Sequence, residues 1–305
     1  MICAGLCCQN TELTKKGIRC SRTCRQANAS PERIIELGRA NLIDCIKMMK
    51  YNYENNIQSF RLSSEMIPHF SNPRVSRVNI NEFTDLLTEI GRLSVEYNQR
   101  ITFHPDQFNV LSSPDRNVID NTYRDLEYHA LMMHHMNIPE SLGVINIHGG
   151  GVYGDKESAI RRWIDNFDGL TPIVKKYLTI ENDERLYNTL DCLEIAEQCR
   201  IPVVFDTHHD ECYRQLYDTH KLPDASELLE RAYESYRKLN KVPLFHVSSQ
   251  KEGARVGAHS DYINEFPIIL KELAERADTP IYVDVEAKNK EQAIFDLRKR
   301  YSFIN

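Results

Sequence analysis

The chain lacks any apolar stretch approaching the roughly eighteen residues that a membrane-spanning helix needs. Its opening, "MICAGLCCQN", lacks a basic segment followed by a sustained apolar run. Neither spanning nor secretion is therefore expected, and the sequence reads as a soluble intracellular protein, in the cytoplasm or the nucleus. Low-complexity tracts, charge blocks, short-period repeats and linkers are also lacking, so one domain over 1–305 is expected. There is no dense cysteine framework: nine cysteines are scattered through 305 residues and should be free thiols in a reducing compartment. "CAGLCC" (Cys3, Cys7, Cys8) and "CSRTC" (Cys20, Cys24) lack the matched second pair of a zinc or iron–sulfur site and read as small buried hydrophobes. Excess positive charge is missing too. A formal charge of −6 argues against nucleic acid held by bulk charge alone, unless bound cations offset a cluster of carboxylates. "GGGVYG" has glycines but not the lysine and hydroxyl of a phosphate loop.

What is present is a rhythm. Short β-branched or apolar runs, "ICAGLCC" (2–8), "SFRLSS" (59–64), "RITFHP" (100–105), "GVINIHGG" (143–150), "YLTIEND" (177–183), "PVVFDTHH" (202–209), "PLFHVSS" (243–249) and "IYVDVEAK" (281–288), alternate with stretches of helical periodicity. In the helical stretch at 30–52, Ser30 can cap and Pro31 suits the first turn, while Ile34, Ile35, Leu42, Ile46 and Met49 recur on one face. Further helices are expected at 79–98, 117–136, 188–199, 224–240 and 261–277. Strand and helix repeated eight times indicate a single α/β domain of the (β/α)8 TIM-barrel class, with strands buried on both faces.

A barrel places its chemistry at the C-terminal ends of its strands. Seven of the runs end in a ligand or contact group: Arg61, His104, His148, Glu181, Asp206 with the following histidine pair, His246 and Glu286. A single polar strand end usually just meets solvent, but so many acids and imidazoles in one barrel do not arise that way. Imidazoles and carboxylates without thiolate suit Mn²⁺, Zn²⁺, Fe²⁺ or Co²⁺. His104, His148, Glu181, Asp206, His209, His246, His259 and Glu286 are more groups than one ion takes, so two or three ions are expected. Ions about 3.5–4 Å apart are the usual clamp for a phosphoryl group. His259, in "VGAHSD", can alternatively cap a helix starting there. His69, His129, His134, His135 and His220 read as ordinary surface or core histidines, and Trp163 as packing.

The blocks "FHPDQF", "NIHGGGVYG", "LTIENDERLYN", "VVFDTHH", "FHVSSQ…GAHSDY" and "VEAKNKEQ" resemble, in this order, the signature blocks of the UV damage endonuclease family, from "GLCCQN" through residue 292. The resemblance implies a metal-dependent barrel, related to endonuclease IV, that nicks double-stranded DNA immediately 5′ to UV photoproducts, and in some members at abasic sites. It implies that His104, His148 and Glu181 bind one ion. Glu181 bridges to a second ion held with Asp206, His246 and Glu286, and His209 and His259 serve a third. Manganese is the implied metal, with Zn²⁺, Co²⁺ or Mg²⁺ as substitutes. Glu181, Asp206, His246 and Glu286 are the implied catalytic core of an enzyme acting as a monomer. Gln107 and Phe108 are the implied wedge opposite the lesion, where relatives carry Gln-Tyr, and Asn10 and Lys288 are further implied DNA contacts.

The chain departs from the family at three places. Leu244 stands where a carboxylated lysine is common, and leucine neither carboxylates nor coordinates. Asn72 replaces a histidine after the "SSxxxP" block, with His69 beside the proline, and Leu6 replaces a lesion-side tyrosine. In "DTHH", strand alternation favours His208 as the partner of Asp206. The family match favours His209 instead, reached across a turn, and leaves His208 to packing. The alternatives are an abasic-site endonuclease, a sugar isomerase or epimerase of the same barrel, and a non-catalytic DNA-binding protein.

Overall fold

The computed structural model describes residues 1–75 and 77–305. Eight strands, β1 (Ile2–Cys7), β2 (Ser59–Leu62), β3 (Arg100–Phe103), β4 (Val144–His148), β5 (Leu178–Glu181), β6 (Val203–Val204), β7 (Leu244–Val247) and β8 (Ile281–Val285), form one sheet in the order β6-β5-β4-β3-β2-β1-β8-β7. The observed pairings are parallel, and β1 bonds both β2 and β8. The two ends meet through a parallel bridge between Asp206 and His246 and a hydrogen bond from His246 N–H to Phe205 O (3.1 Å), which makes the sheet a nearly closed (β/α)8 barrel. Continuous apolar runs suit such strands because each is covered by helices outside and by side chains inside. β1, β3, β5 and β7 are buried at every residue.

The helices are α1 (Thr11–Lys15), α2 (Pro31–Glu54), α3 (Thr84–Glu96), α4 (Arg116–His135), α5 (Lys156–Asp168), α6 (Pro172–Tyr177), α7 (Thr189–Cys199), α8 (Thr207–Leu216), α9 (Ala225–Lys238), α10 (Ile268–Arg276) and α11 (Glu291–Arg300). Ser30 caps α2 by accepting the Arg33 N–H (3.3 Å), with Pro31 in the first turn. Ile34, Leu42 and Met49 face the core, while Ile35 and Ile46 lie at its edge. Trp163 is fully buried on α5, and Cys3 and Cys7 are enclosed in β1. Among the described residues, no helix is long and apolar enough to cross a membrane.

Two expectations about elements are corrected. The helix expected over 261–277 begins only at Ile268, because the residue preceding a proline is driven out of the helical region and Pro267 occupies the capping position. His259 therefore caps no helix; it lies in a short antiparallel bridge with Gln250. β6 is also only two residues long, and two residues past its end Asp206 already caps α8.

At the N-terminal end of the barrel the buried Arg100 donates to the carbonyls of Leu142 (2.8 Å), Pro243 (2.7 Å) and Val242 (2.8 Å). It thereby ties the starts of β3, β4 and β7 together, and the opposite end is left for ligands.

Candidate metal centre

Six strands, β3 to β8, run into an acid or imidazole that joins a single cluster. Glu181, the last residue of β5, is fully buried at its centre. Its Oε2 lies 2.9 Å from His104 Nε2 and 3.9 Å from His148 Nε2, and its Oε1 lies 3.0 Å from His246 Nδ1 and 3.5 Å from His209 Nδ1. Glu286, one residue past β8, brings Oε1 to 3.3 Å from His246 Nδ1 and Oε2 to 3.5 Å from His259 Nδ1. Three groups have ligand atoms mutually within 4.8 Å: His104 with His148 and Glu181, Glu181 with Asp206 and His209, and Asp206 with His246 and Glu286.

The placing of His209 rather than His208 follows from local backbone chemistry. Asp206 caps α8, its Oδ1 accepting the N–H groups of His208 (2.8 Å) and His209 (2.9 Å). One helical turn then swings His209 back to Asp206 Oδ2 at 3.8 Å. Asn182 joins the two by accepting the Asp206 N–H (2.9 Å) and donating to the Asp206 carbonyl (3.0 Å); its own carbonyl lies 3.0 Å from His209 Nδ1. His208 turns away and packs on Cys212 Sγ at 3.6 Å.

The protein's own charges set the protonation of the cluster. Burial opposes charge on His246, but Glu181 and Glu286 outweigh it and push the imidazole up to about 9. His209 reaches about 9 in the same way, with Asp206 and Glu181 outweighing burial. Burial also opposes charge on Glu181, and His246 and His148 nevertheless hold it well below the usual carboxylate range. Glu286 is lowered against burial by Arg61 and His246. Burial wins at His148 and His259, whose values fall. A buried acidic cluster that holds imidazolium protons is one that wants cations. The donors are nitrogen and carboxylate oxygen without thiolate, and Asp206 Oδ2 and His148 Nδ1 are buried without a hydrogen-bond partner among the described residues. This set fits divalent ions of the Mn²⁺ to Zn²⁺ type.

Several further groups support the cluster. Asn146, two residues before His148 on the same face of β4, donates to Glu181 Oε2 and accepts from Thr179 Oγ1 at 2.9 Å. Arg61, whose strand-end position is visible in the sequence, pairs with Glu286 Oε1 and lines the site as a fixed positive charge. In "GGG", Gly150 adopts φ +88°, and Gly149 has no Cβ to collide with the Tyr187 ring, so the backbone after His148 can fold over the cluster.

The cluster opens into a cleft of about 700 Å³ lined by Arg61, His104, His148 and Glu286 and, at its mouth, by Gln107 and Phe108. Gln107 and Phe108 are the two central residues of a turn closed by Asn109 N–H donating to Asp106 O (3.0 Å). The buried Asn109 side chain anchors the turn by donating to Asp125 Oδ2 (2.9 Å), and Phe108 is left 77% exposed. Lys288 is exposed beside the end of β8. Asn10, an expected DNA contact, is wholly enclosed here, its Oδ1 accepting the Leu13 N–H (2.8 Å) as the cap of α1. Leu6 and Leu244 are likewise core residues of β1 and β7. Outside the strand ends, Lys15, Lys16, Arg19 and Arg25, all exposed, lie between β1 and α2 at the same end of the barrel. Their clustering within eleven residues was legible in a chain that is acidic as a whole.

Solved structures extend the comparison. An AP endonuclease, family 2, from Brucella melitensis aligns over 100% of this chain and 99% of its own with a TM-score of 0.55, and an L-ribulose 3-epimerase aligns over 86% and 81% with 0.53. At 12% identity each, these likenesses show the barrel alone. The crystal structure of SacUVDE superimposes with a TM-score of 0.85 at 28% identity over 98% of this chain and 99% of that one. A UV DNA damage endonuclease of Bacillus cereus is 34% identical over 277 residues, 90% of this chain and 84% of its own. Residues 2–305 match the family described as UV-endonuclease UvdE, and by that match and those relatives the chain belongs to it.

Proposed function

We propose that the chain is a metal-dependent DNA endonuclease that hydrolyses the phosphodiester immediately 5′ to UV photoproducts, both cyclobutane pyrimidine dimers and 6-4 photoproducts, and also at abasic sites, leaving a 3′-hydroxyl and a 5′-phosphate. The observation that carries this reading is the exposed Gln107–Phe108 turn at the mouth of the cleft that holds the acid and imidazole cluster. An exposed aromatic on an anchored turn is suited to stack into a duplex and hold a weakened step open. Lesions that unstack or unpair bases lower the cost of that opening, so chemically different lesions can be accepted by one wedge.

In this reading His104, His148 and Glu181 hold one ion, Glu181 with Asp206, His246 and Glu286 a second, and His209 with His259 a third. Mn²⁺ is the resident metal, with Zn²⁺, Co²⁺ or Mg²⁺ able to replace it. Bound divalent ions supply Lewis acidity, neutralise the phosphodiester and lower the pKa of a water. The protein's own residues do the rest. Arg61 holds Glu286 in place, Asn146 and Asn182 orient Glu181, Asp206 and His209, and Phe108 with Gln107 fixes the lesion. Lys15, Lys16, Arg19, Arg25 and Lys288 offer phosphate contacts that the net charge of −6 conceals. The protein acts as an intracellular monomer on double-stranded DNA.

The test is a 5′-labelled duplex with one defined cyclobutane dimer, incubated with protein and Mn²⁺. The expected product is a single cut at the phosphate 5′ to the dimer, ending in a 3′-hydroxyl that a polymerase extends. Cleavage confined to abasic duplex would overturn the photoproduct assignment.

A further inference from the structure

Behind the cluster, within the barrel, is a carboxylate that neither the strand-end pattern nor the ligand groups include. Asp284 lies two residues before Glu286, on the same side of β8, and is fully buried. Its Oδ1 accepts from Ser59 Oγ at 3.3 Å. Its Oδ2 has no hydrogen-bond partner among the described residues and lies 3.8 Å from His246 Nε2, which has none either. The register pairs His246 directly with Asp284 across β7 and β8. The other ring nitrogen, Nδ1, faces Glu181 and Glu286. Space for the carboxylate is made by Gly5 on β1, where a Cβ would collide with Asp284 Oδ1 and come within 2.8 Å of Ser59 Cβ.

Two buried polar atoms that face each other without other partners are costly apart and favourable together. The terminal torsions of aspartate and histidine are broad enough to close the gap. We propose that Asp284 is a positioning residue for the metal centre: it accepts the Nε2–H of His246 and so fixes the tautomer and ring orientation that turn the Nδ1 lone pair toward the ion shared with Glu181 and Glu286. Gly5, Ser59 and Asp284 then form one device, in which a missing side chain on β1 admits a carboxylate from β8 and a hydroxyl from β2 orients it. The proposal rests on reading the cluster as a metal site.

It is tested on purified, metal-stripped protein by titrating Mn²⁺ and following the free ion by electron paramagnetic resonance. Asp284→Asn is expected to weaken Mn²⁺ binding by about 10- to 100-fold, the usual effect of losing the group behind a ligating imidazole. A role in folding alone would lower the melting temperature of the stripped protein and leave affinity intact. A second reading needs no variant: in wild-type protein loaded with Zn²⁺, nitrogen NMR should show His246 protonated at Nε2, with a hydrogen-bonded proton, and liganded at Nδ1. Unchanged Mn²⁺ affinity in folded Asp284→Asn, or a His246 liganded through Nε2, overturns the proposal. Wild-type protein that binds no Mn²⁺ overturns the metal reading beneath it as well.

Discussion

Replacing Glu181 by glutamine keeps the shape of the side chain and removes the charge at the centre of the cluster. In the metal-free protein that carboxylate faces His104 Nε2 at 2.9 Å and His246 Nδ1 at 3.0 Å, with no solvent to take its place. Breaking a buried ion pair by removing one partner costs about 3–5 kcal/mol. At roughly 2 °C per kcal/mol for a chain of this size, the melting temperature should fall by about 6–10 °C. The cost has a pH signature. His246 and His209 are pushed up to about 9, above the ordinary value near 6.5, so the stability their charge contributes is fully present below about pH 6.5 and is lost as pH rises through about 9. The deficit of Glu181→Gln should therefore be greatest near about pH 6 and narrow toward about pH 10, where neither protein carries the imidazolium. Thermal melts of both metal-stripped proteins across this range, with a nicking assay at neutral pH, make the measurement. Abolished nicking with a pH-dependent deficit is expected. A deficit equal at both ends of the range would refute the electrostatic argument, and wild-type nicking would remove Glu181 from the centre.

Three further outcomes follow from the same geometry. Mn²⁺ binding near neutral pH should release protons from His209 and His246, diminishing as pH approaches about 9; calorimetry in buffers of different ionisation enthalpy reads the release, and its absence would contradict the raised values. Phe108→Ala should leave the melting temperature unchanged, because the ring is 77% exposed. The same change should cost about 1–3 kcal/mol in lesion-DNA binding, about five- to 150-fold in Kd, read by fluorescence anisotropy. Chelation should both stop nicking and lower the melting temperature, since an ion bound only by the folded state stabilises it by mass action, and added Mn²⁺ should restore both.

The barrel was legible because its strands are buried on both faces and so appear as unbroken apolar runs, six of which run into an acid or imidazole. His104, His148, Glu181, Asp206, His246 and Glu286 are visible for that reason alone. The choice of His209 over His208 depends instead on a helix starting inside "DTHH". Asp206 bridges to His246 and caps the helix at once, which a period-2 pattern does not encode. Asn146 and Asp284 were hidden by the same alternation that revealed their neighbours. A polar residue two positions before a candidate ligand lies on the interior face of the barrel, and the local pattern does not say what it meets there. The capping role of Asn10 was not read from the sequence: the family position suggested DNA, and its side chain also starts a five-residue helix. Pro267 cut short a periodic stretch whose apolar spacing alone continued through it.

Lesion dependence is the claim on which the account stands or falls. Purified, Mn²⁺-loaded protein should convert UV-irradiated supercoiled plasmid to the nicked form and leave untreated plasmid supercoiled. Equal nicking of both plasmids, or none of either by protein shown to be folded and metal-loaded, would contradict it.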